Sequence, residues 1–483
     1  MRALAVLLAG LLAAGCAGRV SSNPHLARVD AASGYRYDTL PKDGNGDDLF
    51  VILAFSGGGT RAAAFSYGVL EALRDARHTG GRPLLDDVDV ISSVSGGSFT
   101  AAYYGLFRDA MFTDAGRATF LGEKIQFQGR LVARGLWPPT WFRLLSPNFD
   151  RIDLAAELYD ETVFEGKTFS ALAARPRPFV ILHASSMANG APFEFTQSEF
   201  DLLGSNLAAF PVARAVAASS AFPFLLSPVT LRSYPPPPGF QIPPEVTTAV
   251  EADRVSRELN PMRYSWGRHQ LDLMSKKDDK GEWAPKWVHL LDGGLTDNIG
   301  LRSILRAYDR GFIRQRVNAG HIKRLVVIAV NARTDPPEQL SHNEKSPSLV
   351  DVFMKTATVS MENLSVDTLD YALNRQRERE QAQTSVRVCN ERLTVCRGRL
   401  LPTFAQEIRT CFVEISFEGL PAKQRDEFLA LPTTFALRRE QVDGLIKVAG
   451  TLLAESPDFQ KLVRALRNER TLGAGAGDSG NCS

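Results

Sequence analysis

Short apolar segments alternate with helical patterns between residues 48 and 332. Within each segment the apolar residues run consecutively rather than at every second position, which is typical of strands covered on both faces. Such strands joined by helices predict a three-layer α/β/α fold with a mostly parallel central sheet. The segments are DLFVILAF at 48–55, DVDVISSVS at 87–95, PFVILHASS at 178–186, KWVHLLDGG at 286–294 and RLVVIAVNA at 324–332.

The pattern divides the chain into a main domain and flanking parts. We expect the α/β domain to span 48–335, with surface insertions at about 108–176 and 231–284. We expect residues 336–470 to form a C-terminal helical extension. It would contain a long helix through Glu380, one added strand at CFVEISF, and further helices to about residue 469. A Gly-rich tail occupies 471–483, and the polar residues 16–47 predict a flexible tether.

The first residues have the organisation of an export signal. Arg2 precedes the apolar run ALAVLLAGLLAAG, which is too short to span a bilayer stably and which ends at Cys16. The segment LAAGC resembles the lipobox of bacterial lipoproteins, so residues 1–15 are interpreted as a lipoprotein signal peptide. The resemblance implies an acylated Cys16 and, because Ala17 follows it, a lipid anchor in the cell envelope at the outer membrane. Ordinary cleavage near Ala14 is the alternative.

Composition and charge narrow the possible partners. The net charge is +2 and the basic residues are spread along the chain, so no nucleic-acid partner is expected. Export would allow disulfides. Cys389 and Cys396 have a spacing that a hairpin or short loop could bridge. Cys411 and Cys482 are then left over and could pair with each other, and free thiols are the alternative for both pairs. None of these four cysteines has metal-ligand spacing with histidine, and we expect neither a metal nor a cofactor.

Ser95 lies at a sharp change from an apolar strand to a helix of small residues. The segment Ser93-Val94-Ser95-Gly96-Gly97 matches the G-x-S-x-G nucleophile elbow except that Ser93 replaces the first glycine. Small neighbours are needed because the strand and the helix approach closely at such a turn. Ser95 is therefore a candidate nucleophile, although a Ser/Gly turn at a strand end would have the same sequence.

A second loop, FSGGGTRA, places Gly57, Gly58 and Gly59 at the start of a helix. Such a loop can bind a phosphate, stabilise an oxyanion through its N–H groups, or make a tight turn. The phosphate-binding P-loop interpretation fails because no G-K-[ST] follows. Arg61 is expected to brace the loop by binding carbonyls, with contact to a phospholipid head group as the alternative.

A third loop, LLDGGLTDNIG, places Asp292 at the end of a strand and turns at once through Gly293 and Gly294. An acidic side chain at the carboxyl end of a parallel strand faces the crevice where such sheets bind ligands. Capping of the following helix is the alternative, and Asp297 suits that role better.

Together the glycine loop, the elbow and the Asp-Gly-Gly turn, in that order, resemble the patatin-like phospholipase family. The segment AVAASSAFPFLLSPV at 215–229 is similar to that family's Ala-Ser-x-Ala-x-Pro segment. The resemblance implies a Ser95/Asp292 dyad and hydrolysis of lipid esters, of phospholipase A or lysophospholipase type. Its motif-supporting residues would be Arg61, Ser93, Gly96, Gly97, Gly293 and Gly294. Here Ala62 stands where the family has the loop's final glycine.

Three alternatives remain open at this point. A catalytically silent lipid-binding or scaffolding lipoprotein could keep the same fold. His342, which follows the last main-domain strand, could replace Asp292 as the base in an α/β-hydrolase order. The segment IQFQGRLVARGLWPPTWFRLL could lie at a membrane interface, form an acyl-binding lid, or pack against the core.

Overall fold

A computed structural model describes residues 23–42, 44, 46–78, 81–334, 346–396, 398–401, 408–468 and 482. The signal segment, Cys16 and most of the Gly-rich tail lie outside the described residues. The strands are β1 (Leu49–Phe55), β2 (Val88–Val94), β3 (Phe179–Ser186), β4 (Pro192–Glu194), β5 (Val229–Ser233), β6 (Lys286–Asp292), β7 (Arg324–Asn331) and β8 (Arg409–Ser416).

Helices connect and flank these strands. In the first half of the chain they are α1 (Gly59–Asp75), α2 (Gly96–Phe107), α3 (Asp114–Thr119), α4 (Gln128–Leu136), α5 (Pro138–Leu144), α6 (Arg151–Tyr159), α7 (Phe169–Ala173), α8 (Gln197–Leu202) and α9 (Val212–Ser219). The later ones are α10 (Pro244–Val250), α11 (Arg254–Leu259), α12 (Pro261–Leu273), α13 (Gly294–Asp297), α14 (Arg302–Asp309), α15 (Phe312–Asn318), α16 (Leu349–Val395), α17 (Ala422–Leu429), α18 (Arg439–Glu455) and α19 (Pro457–Asn468).

The fold is a mixed α/β sandwich whose central sheet is mostly parallel, as the sequence predicts. The sheet path is β5-β6-β3-β2-β1-β7-β8, with β4 paired to β3. The pairs β1–β2, β1–β7, β2–β3 and β7–β8 are parallel. The main apolar core includes residues from both faces of the sheet, and α1, α2 and α18 contribute to it. In a smaller separate cluster, Ala54 of β1 and Ala329 of β7 pack with Ile299, with Leu301 and with Leu369 of α16.

The strand that ends at Asp292 is antiparallel, which corrects the expectation of a parallel one. β6 pairs antiparallel with both β3 and β5. His183 of β3 pairs with Val94 of β2 on one edge and with Glu194 of β4 on the other. The next residue, Ala184, pairs with Phe193 of β4 and with Asp292 of β6. Strands β2 and β6 therefore lie on the same edge of β3 and meet there end to end.

The prediction of a tether over 16–47 is wrong for the part that the structure describes. Tyr35, Tyr37 and Leu40 are buried in the core, and the Tyr35 hydroxyl donates a hydrogen bond to the Val180 carbonyl. Tyr35 also packs against the ring of Phe179. Residues 23–40 are thus part of the folded body, because their aromatic side chains find partners on β3.

The C-terminal extension differs from its prediction in two respects. Helix α16 continues to Val395, so Cys389 lies on the helix and Cys396 directly follows its end, and both cysteines are free and exposed. The disulfide joins Cys411 of β8 to Cys482. The added strand is present as β8, and α18 packs closely on α1, where a Cβ at Gly68 would lie 2.6 Å from the Ile446 carbonyl.

The insertions consist mainly of short helices, and none of the described helices is long and apolar enough to cross a membrane.

Candidate active site

Ser95 is the residue at which β2 turns into α2. Its backbone has φ +49°, a conformation that costs free energy in a residue other than glycine. A Cβ at Gly96 would lie 2.1 Å from the Gly59 carbonyl, and one at Gly97 would lie 2.7 Å from the Ser56 carbonyl. The two glycines therefore allow the elbow and the glycine loop to touch. Ser93 fits at the position of the first glycine, since its buried hydroxyl donates to the Ile181 carbonyl.

Asp292, at the end of β6, faces this turn directly. The Ser95 hydroxyl donates to Asp292 Oδ2 at 2.9 Å, and the Gly294 N–H donates to Asp292 Oδ1 at 2.8 Å. Asp292 is 2% exposed and Ser95 is 7% exposed. Burial raises the pKa of Asp292 to about 7, although the hydrogen bonds from Gly294 and Ser95 offset part of the rise. A carboxylate with this pKa can accept a proton near neutral pH.

The two glycines after Asp292 lie in close contact with neighbouring elements. A Cβ at Gly293 would lie 2.4 Å from the His183 carbonyl of β3. A Cβ at Gly294 would lie 2.1 Å from Met361 Cε, which α16 places over the turn. The position of Gly293 therefore needs glycine for the chain to turn beside the backbone of β3, whereas the close neighbour of Gly294 is the end of a flexible side chain.

The end of α9 holds both sides of the Ser95–Asp292 pair. The Ser219 hydroxyl accepts a hydrogen bond from the Ser95 N–H at 2.9 Å. The Ser219 carbonyl accepts from the Gly293 N–H, and the Ala221 carbonyl accepts from the Asp292 N–H. This role of the segment was not predicted from the sequence, although adjacent serines at the end of an apolar helix were an available signal.

The glycine loop offers fewer free N–H groups than the sequence predicts. The Gly57 N–H donates to the Asn298 carbonyl at 2.9 Å, so Gly57 is not available as an oxyanion donor. Gly58 and Gly59 have φ +141° and +60°, and among the described residues their N–H groups have no acceptor. A Cβ at Gly96 would lie 2.6 Å from Gly59 N, which places that N–H beside the elbow. The candidate oxyanion donors are thus Gly58 and Gly59.

Asn298 is a further polar residue at this site, and its position there was not predicted from the sequence. Its Oδ1 is buried and has no hydrogen-bond partner among the described residues. A Cβ at Gly57 would lie 2.4 Å from this atom and 3.3 Å from Ser95 Cβ. The side chain of Asn298 therefore fills the space between the glycine loop and the turn after Asp292.

Arg61 braces the glycine loop from inside the protein. It is buried, and its guanidinium donates to the carbonyls of Ala332 and Leu431 and to the hydroxyl of Thr433. Burial lowers the pKa of Arg61 to about 10. All three nitrogens of the guanidinium are engaged, so the alternative of binding a lipid head group does not fit this geometry.

Residues 431–435, which we call the C-terminal clasp, complete the loop. The Thr434 carbonyl accepts from the Thr60 N–H at 2.8 Å, and a Cβ at Gly59 would lie 2.3 Å from that carbonyl. The Phe435 ring stacks on Phe127, and both rings contact Phe99 of α2. Residues far beyond the main domain therefore hold the first turn of α1 in place.

The histidines take no part in this arrangement within the described residues. His183 is buried, its Nε2 lies 2.8 Å from the Ser92 hydroxyl, and burial lowers its pKa to about 3. His289 Nδ1 lies 3.0 Å from the Thr230 hydroxyl. His342 lies outside the described residues, and among the described residues no cluster of His, Cys, Asp and Glu could hold a metal ion.

Comparison with known proteins identifies one family. The model of the patatin-like phospholipases matches residues 53–305, just over half of the chain. No curated protein matches the sequence.

Solved structures that resemble the chain include two of human GIVD cytosolic phospholipase A2. The complex with methyl gamma-linolenyl fluorophosphonate matches at 14% identity and a TM-score of 0.41, over 89% of this chain and 61% of that one. The other structure matches at 15% identity and a TM-score of 0.34, over 64% of this chain and 48% of that one. VipD from Legionella pneumophila matches at 10% identity and a TM-score of 0.28, over 95% of this chain and 72% of that one. The chain thus spans about half to three fifths of the human enzyme, and the low TM-scores support no further conclusion.

The hydrogen bond from the Ser95 N–H to Ser219 leads to a testable prediction. Ser219→Ala leaves that buried N–H without its acceptor, which costs about 1–3 kcal/mol and releases the strained turn. We expect a fluorophosphonate probe to label Ser95 roughly tenfold or more slowly, with the pH midpoint of labelling unchanged because Asp292 stays buried. Intact-mass kinetics measure the rate, and thermal unfolding measures stability.

Two variants serve as controls for Ser219→Ala. Ser66→Ala removes a buried hydroxyl that has no partner among the described residues, and it should label at the parent rate. Ser219→Thr keeps the hydroxyl and should recover most of the rate. A Ser219→Ala protein that labels as fast as the parent would show that the bond does not position Ser95.

Proposed function

Because this chain belongs to the patatin-like phospholipase family, we propose that it is a serine acyl hydrolase that cleaves carboxylic esters of lipids, of phospholipase A or lysophospholipase type. Ser95 is the nucleophile and Asp292 the base in this proposal. The observation that carries it is the 2.9 Å hydrogen bond from the Ser95 hydroxyl to a buried carboxylate.

The proposed reaction proceeds in two steps. Asp292 takes the hydroxyl proton as Ser95 Oγ attacks the ester carbonyl carbon, and the N–H groups of Gly58 and Gly59 stabilise the oxyanion that forms. When the tetrahedral intermediate collapses, Asp292 returns the proton to the departing alcohol and an acyl-serine remains. Water then attacks the acyl carbonyl carbon with Asp292 again as the base. When this second intermediate collapses, Asp292 returns the proton to Ser95 Oγ and the fatty acid is released.

The strain and burial at this site favour an enzyme over a silent lipid-binding protein of the same fold. A positive φ at Ser95 and a carboxyl buried at Asp292 both cost stability. A protein that only binds lipid gains nothing from either feature, whereas a nucleophile and its base need both.

The dyad proposal predicts which substitutions stop turnover. Ser95→Ala and Asp292→Asn should each abolish hydrolysis of a fatty-acyl ester almost completely, and the double variant should be no worse, because the two groups act as one unit. Ser95→Ala should also lose the fluorophosphonate adduct. Initial rates and intact mass on the purified chain measure both outcomes.

His342→Ala is the matched control for the dyad and should retain most of the activity. The opposite pattern, an active Asp292→Asn protein and an inactive His342→Ala protein, would assign the base to the histidine. A parent protein that neither turns over ester nor forms an adduct would support the silent lipid-binding alternative.

The raised pKa of Asp292 predicts the pH dependence of kcat/KM. The base must be deprotonated, so kcat/KM should be low in acid and rise through about pH 7, falling roughly tenfold per pH unit below it. An exposed aspartate would place the midpoint near its ordinary pKa of about 3.9.

Glu199→Gln provides the control for this pH profile. Burial also raises the pKa of Glu199 to about 7, but its carboxyl accepts a hydrogen bond from Gln270 rather than one from Ser95. The variant should leave the midpoint where it is. A midpoint that moves with Glu199→Gln would exclude Asp292 as the titrating base, and a midpoint near pH 4 in the parent would show that burial does not raise the pKa of Asp292.

The N-terminal segment supports a second part of the proposal, that the mature chain begins at an acylated Cys16 and is anchored in the cell envelope. Several acyl chains give stable anchoring, since each buried CH₂ contributes about 0.8 kcal/mol. Cys16→Ser should therefore move the protein from the membrane fraction to the soluble fraction, as measured by fractionation and immunoblotting. An unchanged distribution would rule out the acyl anchor.

A further inference from the structure

A set of large apolar side chains projects into solvent from α4, α5 and the loop that follows the Ser219–Ala221 segment. Each is between 53% and 75% exposed. We call this set the apolar face, and it consists of Val132, Leu136, Trp137, Trp141, Phe142, Leu145, Phe224 and Leu225.

These side chains are not core residues. Leu131, the neighbour of Val132, packs against the core, so α4 is attached by one side and presents Val132 and Leu136 on the other. Of the two tryptophans, Trp141 donates its ring N–H to the Gly135 carbonyl, which holds α5 against α4. The exposure excludes the core-packing alternative that the sequence left open for this segment.

Two arginines, Arg130 and Arg151, flank the apolar face, and among the described residues neither forms an ion pair with a carboxylate. Arg130 donates to the backbone carbonyl of Glu123, and Arg151 donates to the backbone carbonyl of Phe224 at 2.8 Å. By contrast, Arg134 and Arg143 form ion pairs with Glu161 and Glu157. Residues 128–145 contain no Asp or Glu, so the face is apolar in the middle and basic at its edge.

Two connections link the apolar face to the candidate dyad. Phe224 lies a few residues after Ser219, which binds the Ser95 N–H, and it is tied to the start of α6 through Arg151. At the other end of α6, Tyr159 packs against Phe99 and Phe127. Burial raises the pKa of Tyr159, and the negative charge of Asp292 raises it further, which places the phenol within electrostatic reach of the base.

We propose that the apolar face docks the protein on a phospholipid surface, with Trp137, Trp141 and Phe142 inserted among the acyl chains and Arg130 and Arg151 at the level of the phosphates. Tryptophan, phenylalanine and leucine edged by arginine suit the membrane interface. The side chains project separately from two short helices, so a fluid apolar phase surrounds them without the matching pockets that a protein partner would need. The benefit to catalysis rests on the proposed function, because the ester substrate then lies in the docked surface.

Tryptophan fluorescence provides a direct test of insertion. The full-length chain carrying Cys16→Ser, so that no acyl anchor contributes, is mixed with phosphatidylcholine vesicles containing phosphatidylglycerol and doxyl-labelled acyl chains. We expect the doxyl groups to quench the emission, and Trp137→Phe with Trp141→Phe to remove that quenching. Trp283→Phe removes an exposed tryptophan outside the face and should leave the quenching in place.

Vesicle binding and hydrolysis distinguish docking from other roles of the face. Trp137→Ala, Trp141→Ala and Phe142→Ser together should lower vesicle partitioning by about tenfold or more, since the transfer of these apolar side chains from water into lipid drives the insertion. Hydrolysis of vesicle lipid should fall with it, whereas hydrolysis of a soluble short-chain ester should not. Trp283→Ala is the matched control for both measurements.

Three results would overturn the docking proposal. The first is quenching that does not depend on Trp137 and Trp141. The second is vesicle partitioning that the triple variant leaves unchanged. The third is sedimentation showing that the face joins two copies of the chain and does not bind vesicles. Failure of the proposed function looks different, because quenching would persist while the parent hydrolyses neither the vesicle lipid nor the soluble ester.

Discussion

The end-to-end meeting of β2 and β6 on one edge of β3 is the constraint on which the candidate site depends. His183 and Ala184 are consecutive residues of β3, and they pair with Val94 and Asp292 respectively. Ser95 follows Val94, so the hydroxyl and the carboxylate arrive at the same point from opposite directions. Because the backbone hydrogen bonds of β3 fix both strands, the distance between the two side chains is set by the sheet rather than by flexible loops.

The same arrangement explains how the protein tolerates two destabilising features side by side. A buried carboxyl and a residue at positive φ each cost stability, and at this site they are adjacent. Ser219 and Ala221 accept hydrogen bonds from the N–H groups of Ser95, Asp292 and Gly293, which the two turns would otherwise bury unpaired. Preorganisation of the pair thus comes from hydrogen bonds to the end of α9 and the residues that follow it.

Local sequence predicted six of the eight described strands, all except β4 and β5, and the candidate nucleophile, because these have short-range signals. The apolar runs and the Ser95 elbow are determined by neighbouring residues. The antiparallel direction of β6 was not predicted. In the structure Val288, Leu290 and Asp292 are the buried residues of that strand, and this alternation is typical of a strand with one open face. The loss of Gly57 as a donor could not be predicted, since it depends on Asn298. The burial of Tyr35 depends in the same way on Val180.

The clasp at residues 431–435 has a consequence for the order of events during synthesis. Arg61 and the Leu431 carbonyl that it binds are separated by 370 positions in the chain. The ribosome therefore produces the glycine loop long before the residues that hold it, and the first turn of α1 lacks those contacts until most of the polypeptide has emerged. A nascent or prematurely terminated chain would carry Ser95 without a finished loop beside it. In terms of the proposed function, such a chain lacks ordered oxyanion donors until the clasp has formed.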